Sequence, residues 1–205
     1  MTLRFVLYLL LLVVVFVIGV LQYKKRPAPF QALTLLVGVT VVSECLGRCL
    51  IYRNGNSMPV YHIYIILLYL FYAWIYRRLS TSPAVKKAIL ISAPVFVGLS
   101  LVNSLYYQSM KQFPSNMLLI ACVLIILLSL SIYRQMLNFP IEESLFRQPV
   151  FWLNTGTLFF FTTTFLFWSF FNYFIRQKLN LSLLTDMIYL SNIFYYVILG
   201  VSLLL

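Results

Sequence analysis

The chain has 205 residues, of which 62% are hydrophobic and 9% charged, and its mean hydropathy is +0.95. Soluble domains carry about 25% charged residues, so this composition excludes a water-soluble globule and makes a bilayer the solvent for most of the chain. The net charge of +11 is no nucleic-acid signal, because the basic residues sit in short segments between apolar runs, as topology determinants do, and no recognised nucleic-acid-binding pattern accompanies them.

Seven apolar segments follow in chain order, at 3–22, 30–52, 59–76, 88–107, 116–133, 150–175 and 187–205. Each has the length a helix needs to cross a hydrocarbon core of about 30 Å. None alternates with the period of a strand, and all are longer than barrel strands of about 10 residues. The fold class is therefore all-α, a polytopic membrane bundle of seven transmembrane helices forming a single integral domain over 1–205. The first segment starts with Arg4 but is long for a signal peptide. No small-x-small cleavage site precedes Lys24-Lys25-Arg26, so it reads as a retained helix. Pro27, Pro29, Pro83, Pro114, Pro140 and Pro149 punctuate the breaks, where proline starts helices without continuing them. Pro94 falls inside the fourth segment and is expected to kink it.

The second segment holds the energetic oddity of the chain, Glu44 and Arg48 four residues apart in an apolar run. A charge at membrane depth costs a few kcal/mol and normally faces a protein interior or a watery cavity. Spacing of four makes the two neighbours on one helical face, and mutual neutralisation is expected. Cys45 and Cys49 lie beside them and Cys122 lies in the fifth segment. No CxxC pair occurs, so these thiols read as small packed hydrophobes, and neither a metal nor a cofactor is expected. In the sixth segment, Asn154-Thr155-Gly156-Thr157 and Thr162-Thr163-Thr164 suit close helix approach. Asn180-Leu181-Ser182 matches a glycosylation sequon, a pattern common by chance.

The segments after helices 1, 3 and 5 hold nine Lys or Arg, against six on the other side including Arg48. The positive-inside bias then predicts an outside N-terminus and a cytoplasmic C-terminus in a bacterial inner membrane. At about 1.5 Å per residue, Arg48 lies roughly 7 Å and Glu44 roughly 13 Å below the outer surface. The same count brings His62, Tyr64, Asn103, Trp168, Asn172, Tyr189 and Asn192 to that layer. Helix ends are polar for structural reasons too, since asparagine serves as interhelical glue. The functional expectation is an outward-facing pocket for an unidentified small ligand, lined by Glu44, Arg48, His62, Tyr64, Asn103, Trp168, Asn172 and Asn192.

No HExxH, GxSxG or P-loop occurs, and all six lysines lie outside the apolar cores, so protease, hydrolase, nucleotide-hydrolysing and retinal-binding chemistries lack their residues. The chain is not expected to be an enzyme.

Glu44 and Arg48, the Asn56…Tyr61-His62-Ile63-Tyr64 entry to helix 3, Pro149…Phe151-Trp152…Gly156 opening helix 6, and Ser191-Asn192-Ile193 in helix 7 together resemble an uncharacterised family of small seven-helix bacterial membrane proteins of Bacteroidetes type. Members often carry Trp and His ahead of the helix 7 asparagine, where this chain has Tyr189-Leu190-Ser191. Family genes often lie near sensor histidine kinases. The resemblance implies a sensory or accessory module signalling laterally to a membrane partner such as a histidine kinase. A small-solute transporter of 3+1+3 layout is the alternative, since seven helices of this length allow parallel repeats. A pore-forming or membrane-perturbing effector ranks third, because no helix carries a polar stripe along its whole length.

Overall fold

The computed structural model describes residues 3–138, 144–177 and 182–205 and, within them, all side chains but those of Asn54, Asn172, Ile175, Arg176 and Leu183. The sequon's Asn180 and Leu181 and the loop residues 139–143 lie outside the described residues. Seven long helices account for most of the rest: α1 Leu3–Gln22, α2 Ala28–Asn54, α3 Met58–Leu79, α4 Pro83–Val102, α5 Ser115–Asn138, α6 Pro149–Arg176 and α7 Ser182–Leu204. All seven are long and apolar enough to span a bilayer. The protein is a multi-pass, all-α membrane bundle, as its composition requires.

The helix boundaries follow local chemistry. Pro29, Pro59, Pro83 and Pro149 all sit in first turns, where a missing N–H costs nothing. The Ser82 hydroxyl accepts from the Val85 N–H at the start of α4. Gly55 ends α2 at φ 69°, its N–H bonded to the Ile51 carbonyl at 3.0 Å, a left-handed cap that a side chain would strain. Asn56 then joins two connections, since its amide donates to the Met110 carbonyl at 3.0 Å while its oxygen accepts from the Met58 N–H. α4 begins at Pro83, five residues before the predicted segment, and runs on as a π turn over Asn103–Tyr107. Proline at a first helical position permits the earlier start, and lysine stems at 86 and 87 extend the helix beyond the apolar core.

Six of the helices close into a ring in the order α1, α2, α3, α5, α6, α7, with α7 packed back on α1. α4 stands outside, packed on α3 and touching α5 lightly. The Tyr69 hydroxyl pins it by donating to Ser92 Oγ at 2.7 Å, and the Tyr69 ring packs on Phe96 with centroids 4.3 Å apart. The α1–α7 seam is fastened at both ends. Arg4 pairs with Asp186 at one, and the Arg26 guanidinium donates to the Leu203 carbonyl at 2.9 Å at the other. Gly55, in the α2–α3 turn, lies at one end of the bundle and Lys24, in the α1–α2 turn, at the other.

The half of the ring toward Lys24 is filled. Leu33, Tyr72, Ile75, Tyr76 and Leu153 are essentially unexposed. One polar cluster is built into this packing. Asn154 Oδ1 accepts from the Tyr76 hydroxyl at 2.9 Å and the Ser129 hydroxyl at 2.8 Å, while its Nδ2 donates to the Ser129 carbonyl at 3.1 Å. Thus α3, α5 and α6 are tied at one point, with every polar atom of the amide used. The outward faces of α1 and α2 carry exposed Leu10, Val13, Val17, Leu35 and Val42, the surface that lipid covers.

α6 and α7 meet closely at Gly156, where a Cβ would stand 2.7 Å from Ile198 Cγ2. Gly156→Ala is expected to destabilise by about 1–3 kcal/mol through overpacking. Gly98→Ala, whose Cβ would meet nothing within 4 Å, should gain up to about 1 kcal/mol of helix propensity. Unfolding in mixed micelles separates the two. Equal effects would contradict the close α6–α7 approach.

Candidate functional site

The half of the ring toward Gly55 is not filled. A cavity of about 160 Å³ lies on the ring axis, walled by α1, α2, α3, α5, α6 and α7 and by Phe113 of the α4–α5 connection. An engineered apolar cavity of about 150 Å³ accepts benzene, so the space suits a ligand of about that size. α2 contributes Leu36, Val37, Thr40 and Glu44, and α3 contributes Tyr61, Tyr64, Ile65 and Leu68 at helical spacing. Across from them stand Phe160, Phe161, Thr164 and Trp168 of α6 and Asn192, Tyr195 and Tyr196 of α7. Tyr8 of α1 closes the circle.

Glu44 is the one charged residue in this wall. The Tyr8 and Tyr61 hydroxyls and the Arg48 charge are close enough to act on it. Expected neutralisation by contact is not what forms. Among the described residues the ion pair within 4 Å is Arg4–Asp186. The Arg48 guanidinium lies instead over the Phe5 ring, 4.0 Å from its centroid. The physical reason is reach: four residues along a helix place Arg48 one turn nearer the membrane surface, and its long stem crosses to α1, where a ring face attracts a cation. Arg48 thus balances Glu44 through space and leaves the cavity wall.

The polar residues expected in one layer do not all face the cavity. Glu44, Tyr64, Trp168 and Asn192 line the cavity. His62 does not. Residues two apart on a helix point about 200° apart, so with Tyr64 turned to the axis His62 faces the α4–α5 side. There it is buried, with Nδ1 2.7 Å from Ser104 Oγ and Nε2 3.0 Å from the Gln112 carbonyl. A carbonyl only accepts, so Nε2 carries a proton. Asn103 belongs to the same side, its amide donating to Gln108 Oε1 at 3.1 Å and its oxygen accepting from Asn116 at 3.3 Å. His62 and Asn103 therefore fasten the α4–α5 connection and do not line the cavity. Tyr189 lies by Arg4, whose guanidinium is 5.7 Å from its ring centroid. The Asn172 side chain lies outside the described residues.

The cavity wall also holds Tyr8, Thr40, Tyr61, Thr164, Tyr195 and Tyr196, which depth and charge in the sequence do not single out. A signal existed. Tyrosines of membrane helices concentrate at the interfaces, yet Tyr64, Tyr72, Tyr195 and Tyr196 sit well inside their segments. Buried phenols need partners, and these find one another. Thr40 Oγ1 donates to the Leu36 carbonyl at 2.9 Å and so accepts from Tyr64, 3.1 Å away. The Tyr72 and Tyr195 hydroxyls bond at the cavity floor. Phe160 stacks on Tyr195 at 4.3 Å, and Phe113 on Trp168 at 4.3 Å. Thr164 Oγ1 and Ser191 Oγ are buried without a hydrogen-bond partner, and Thr164 is in the cavity wall. Among the described residues no group of three or more His, Cys, Asp or Glu could hold a metal. Comparison with family models, with curated proteins and with solved structures returns no match.

Proposed function

We propose that the protein is a bacterial inner-membrane receptor module that takes a small solute into the axial cavity from the outer side and passes the binding event laterally to a membrane partner, such as a histidine kinase. The observation that carries this reading is the one-sidedness of the cavity. It occupies the Gly55 half of the ring, and below it the fully buried Phe161, Tyr72, Tyr76 and Leu153 fill the axis. The excess of basic residues at the Lys24 end supports taking the Gly55 end as the outer one. A solute held by α2, α3, α6 and α7 together would favour one packing of those helices over another, and that differential affinity is the only source of a signal.

A second reading is favoured by the position of α4. With α4 outside, helices 1–3 and 5–7 each supply one consecutive half of the ring, the arrangement expected of a carrier with two parallel three-helix repeats. An outward-open carrier would also be sealed below its site. Proteoliposomes separate the readings. The receptor reading expects no saturable solute uptake, together with a changed autophosphorylation rate when a membrane histidine kinase that co-purifies with the protein is co-reconstituted and solute is added. Saturable uptake in the absence of any partner would replace it with the carrier.

A further inference from the structure

The geometry points to a small organic cation, of the primary or quaternary ammonium class, as the occupant of the axial cavity. This rests on the reading of that cavity as a solute site and adds its chemistry. The wall holds one carboxylate, Glu44, and no Lys, Arg or His. Arg48, which the sequence offers as its neutraliser, is turned away onto Phe5, so the site keeps a carboxyl group with no counter-charge in contact among the described residues. Around that carboxylate the wall is aromatic. Tyr8, Tyr61, Tyr64, Trp168, Tyr195 and Tyr196 all border the space, and ring faces attract a desolvated cation.

The rings are held by one another, Tyr8 edge-on to Tyr196 at 5.8 Å, Tyr61 against Phe113 at 5.7 Å and Tyr195 against Tyr196 at 5.0 Å. The cage is therefore largely formed before a ligand arrives, which lowers the cost of ordering it. An independent observation points to a ligand there. Thr164 Oγ1 is buried in the wall with no partner in the protein, an arrangement that costs free energy unless something entering the cavity supplies one. A polar ligand tip opposite the ammonium would do so. The volume of about 160 Å³ limits the choice to something of about benzene's bulk, and an anion would meet Glu44 with no compensating donor charge in the wall.

The test uses the reconstituted full chain with Cys45, Cys49 and Cys122 changed to Ala and a single cysteine introduced by Thr164→Cys or, as a second position in the same wall, Asn192→Cys. Labelling rates with a trimethylammonium thiosulfonate and a sulfonate thiosulfonate are each divided by the rate with a free thiol. The cationic reagent should be favoured by about tenfold or more, and Glu44→Gln in the same chain should remove most of that preference. Choline should slow labelling, and 3,3-dimethylbutan-1-ol, its uncharged carbon isostere, should need about tenfold higher concentration for the same effect. Labelling without charge preference, or equal protection by choline and the isostere, would overturn the cation assignment and leave a solute cavity standing. No labelling at either position would overturn the cavity reading along with it.

Discussion

Phe161→Ala is expected to cost about 3–5 kcal/mol of stability, the usual range for deleting a buried phenyl ring. Phe161 is unexposed at the boundary between the axial cavity and the filled half of the ring. It stands edge-on to Tyr72 at 5.1 Å and to Phe160 at 5.2 Å. Removing it leaves a void that joins the existing cavity, and neither neighbour can close it without giving up its own partner, Tyr195 in both cases. Phe161→Leu keeps most of the volume and should cost clearly less. Unfolding in mixed micelles with increasing denaturing detergent reads both. Similar losses for the two would mean that filling the floor is not what Phe161 does.

The second large effect lies in the filled half. Asn154→Leu keeps the number and branching of the side-chain heavy atoms while adding some bulk, so its cost is mainly that of the polar atoms. The Tyr76 hydroxyl loses its acceptor, the Ser129 hydroxyl keeps only the Asn154 backbone carbonyl at 3.3 Å, and the Ser129 carbonyl loses a donor, all where water does not reach. An orphaned buried group costs about 1–3 kcal/mol, while interhelical hydrogen bonds in membranes average about 0.6 kcal/mol. The expected loss is about 2–4 kcal/mol for the cluster. Adding Tyr76→Phe and Ser129→Ala should recover at least half of it, because a cluster made wholly apolar leaves few orphans. A triple variant less stable than Asn154→Leu alone would contradict this account.

The helices were legible because lipid demands runs of apolar residues of fixed length, a signal that survives without any knowledge of packing. The first segment matches α1 residue for residue, and the others differ mainly where polar or basic residues extend a helix beyond the hydrocarbon, as Arg134 to Asn138 do in α5. The site was half legible. Glu44, Tyr64, Trp168 and Asn192 could be placed by depth, but depth alone does not say which way a side chain faces. His62 and Tyr64 share a depth and lie on opposite sides of α3, and only the ring order of the helices decides which side holds the cavity. Arg48 illustrates a different limit. Its spacing from Glu44 predicts proximity along α2 and is blind to Phe5, which arrives from α1. The tyrosines are not legible as site residues, because a phenol reads equally as filling and as a hydrogen-bonding group until its partner on another helix is known.

Ring closure has a consequence for biosynthesis. Helices enter the membrane in the order of synthesis, yet the wall of the cavity needs Tyr8 from the first helix and Tyr195 and Tyr196 from the seventh. Until α7 arrives, Glu44 faces a cleft open to lipid on one flank and its carboxylate has no enclosed place to be. Nascent chains paused before α7 should therefore be more open to membrane proteases than finished ones, and the Arg4–Asp186 pair forms only once α7 is in place.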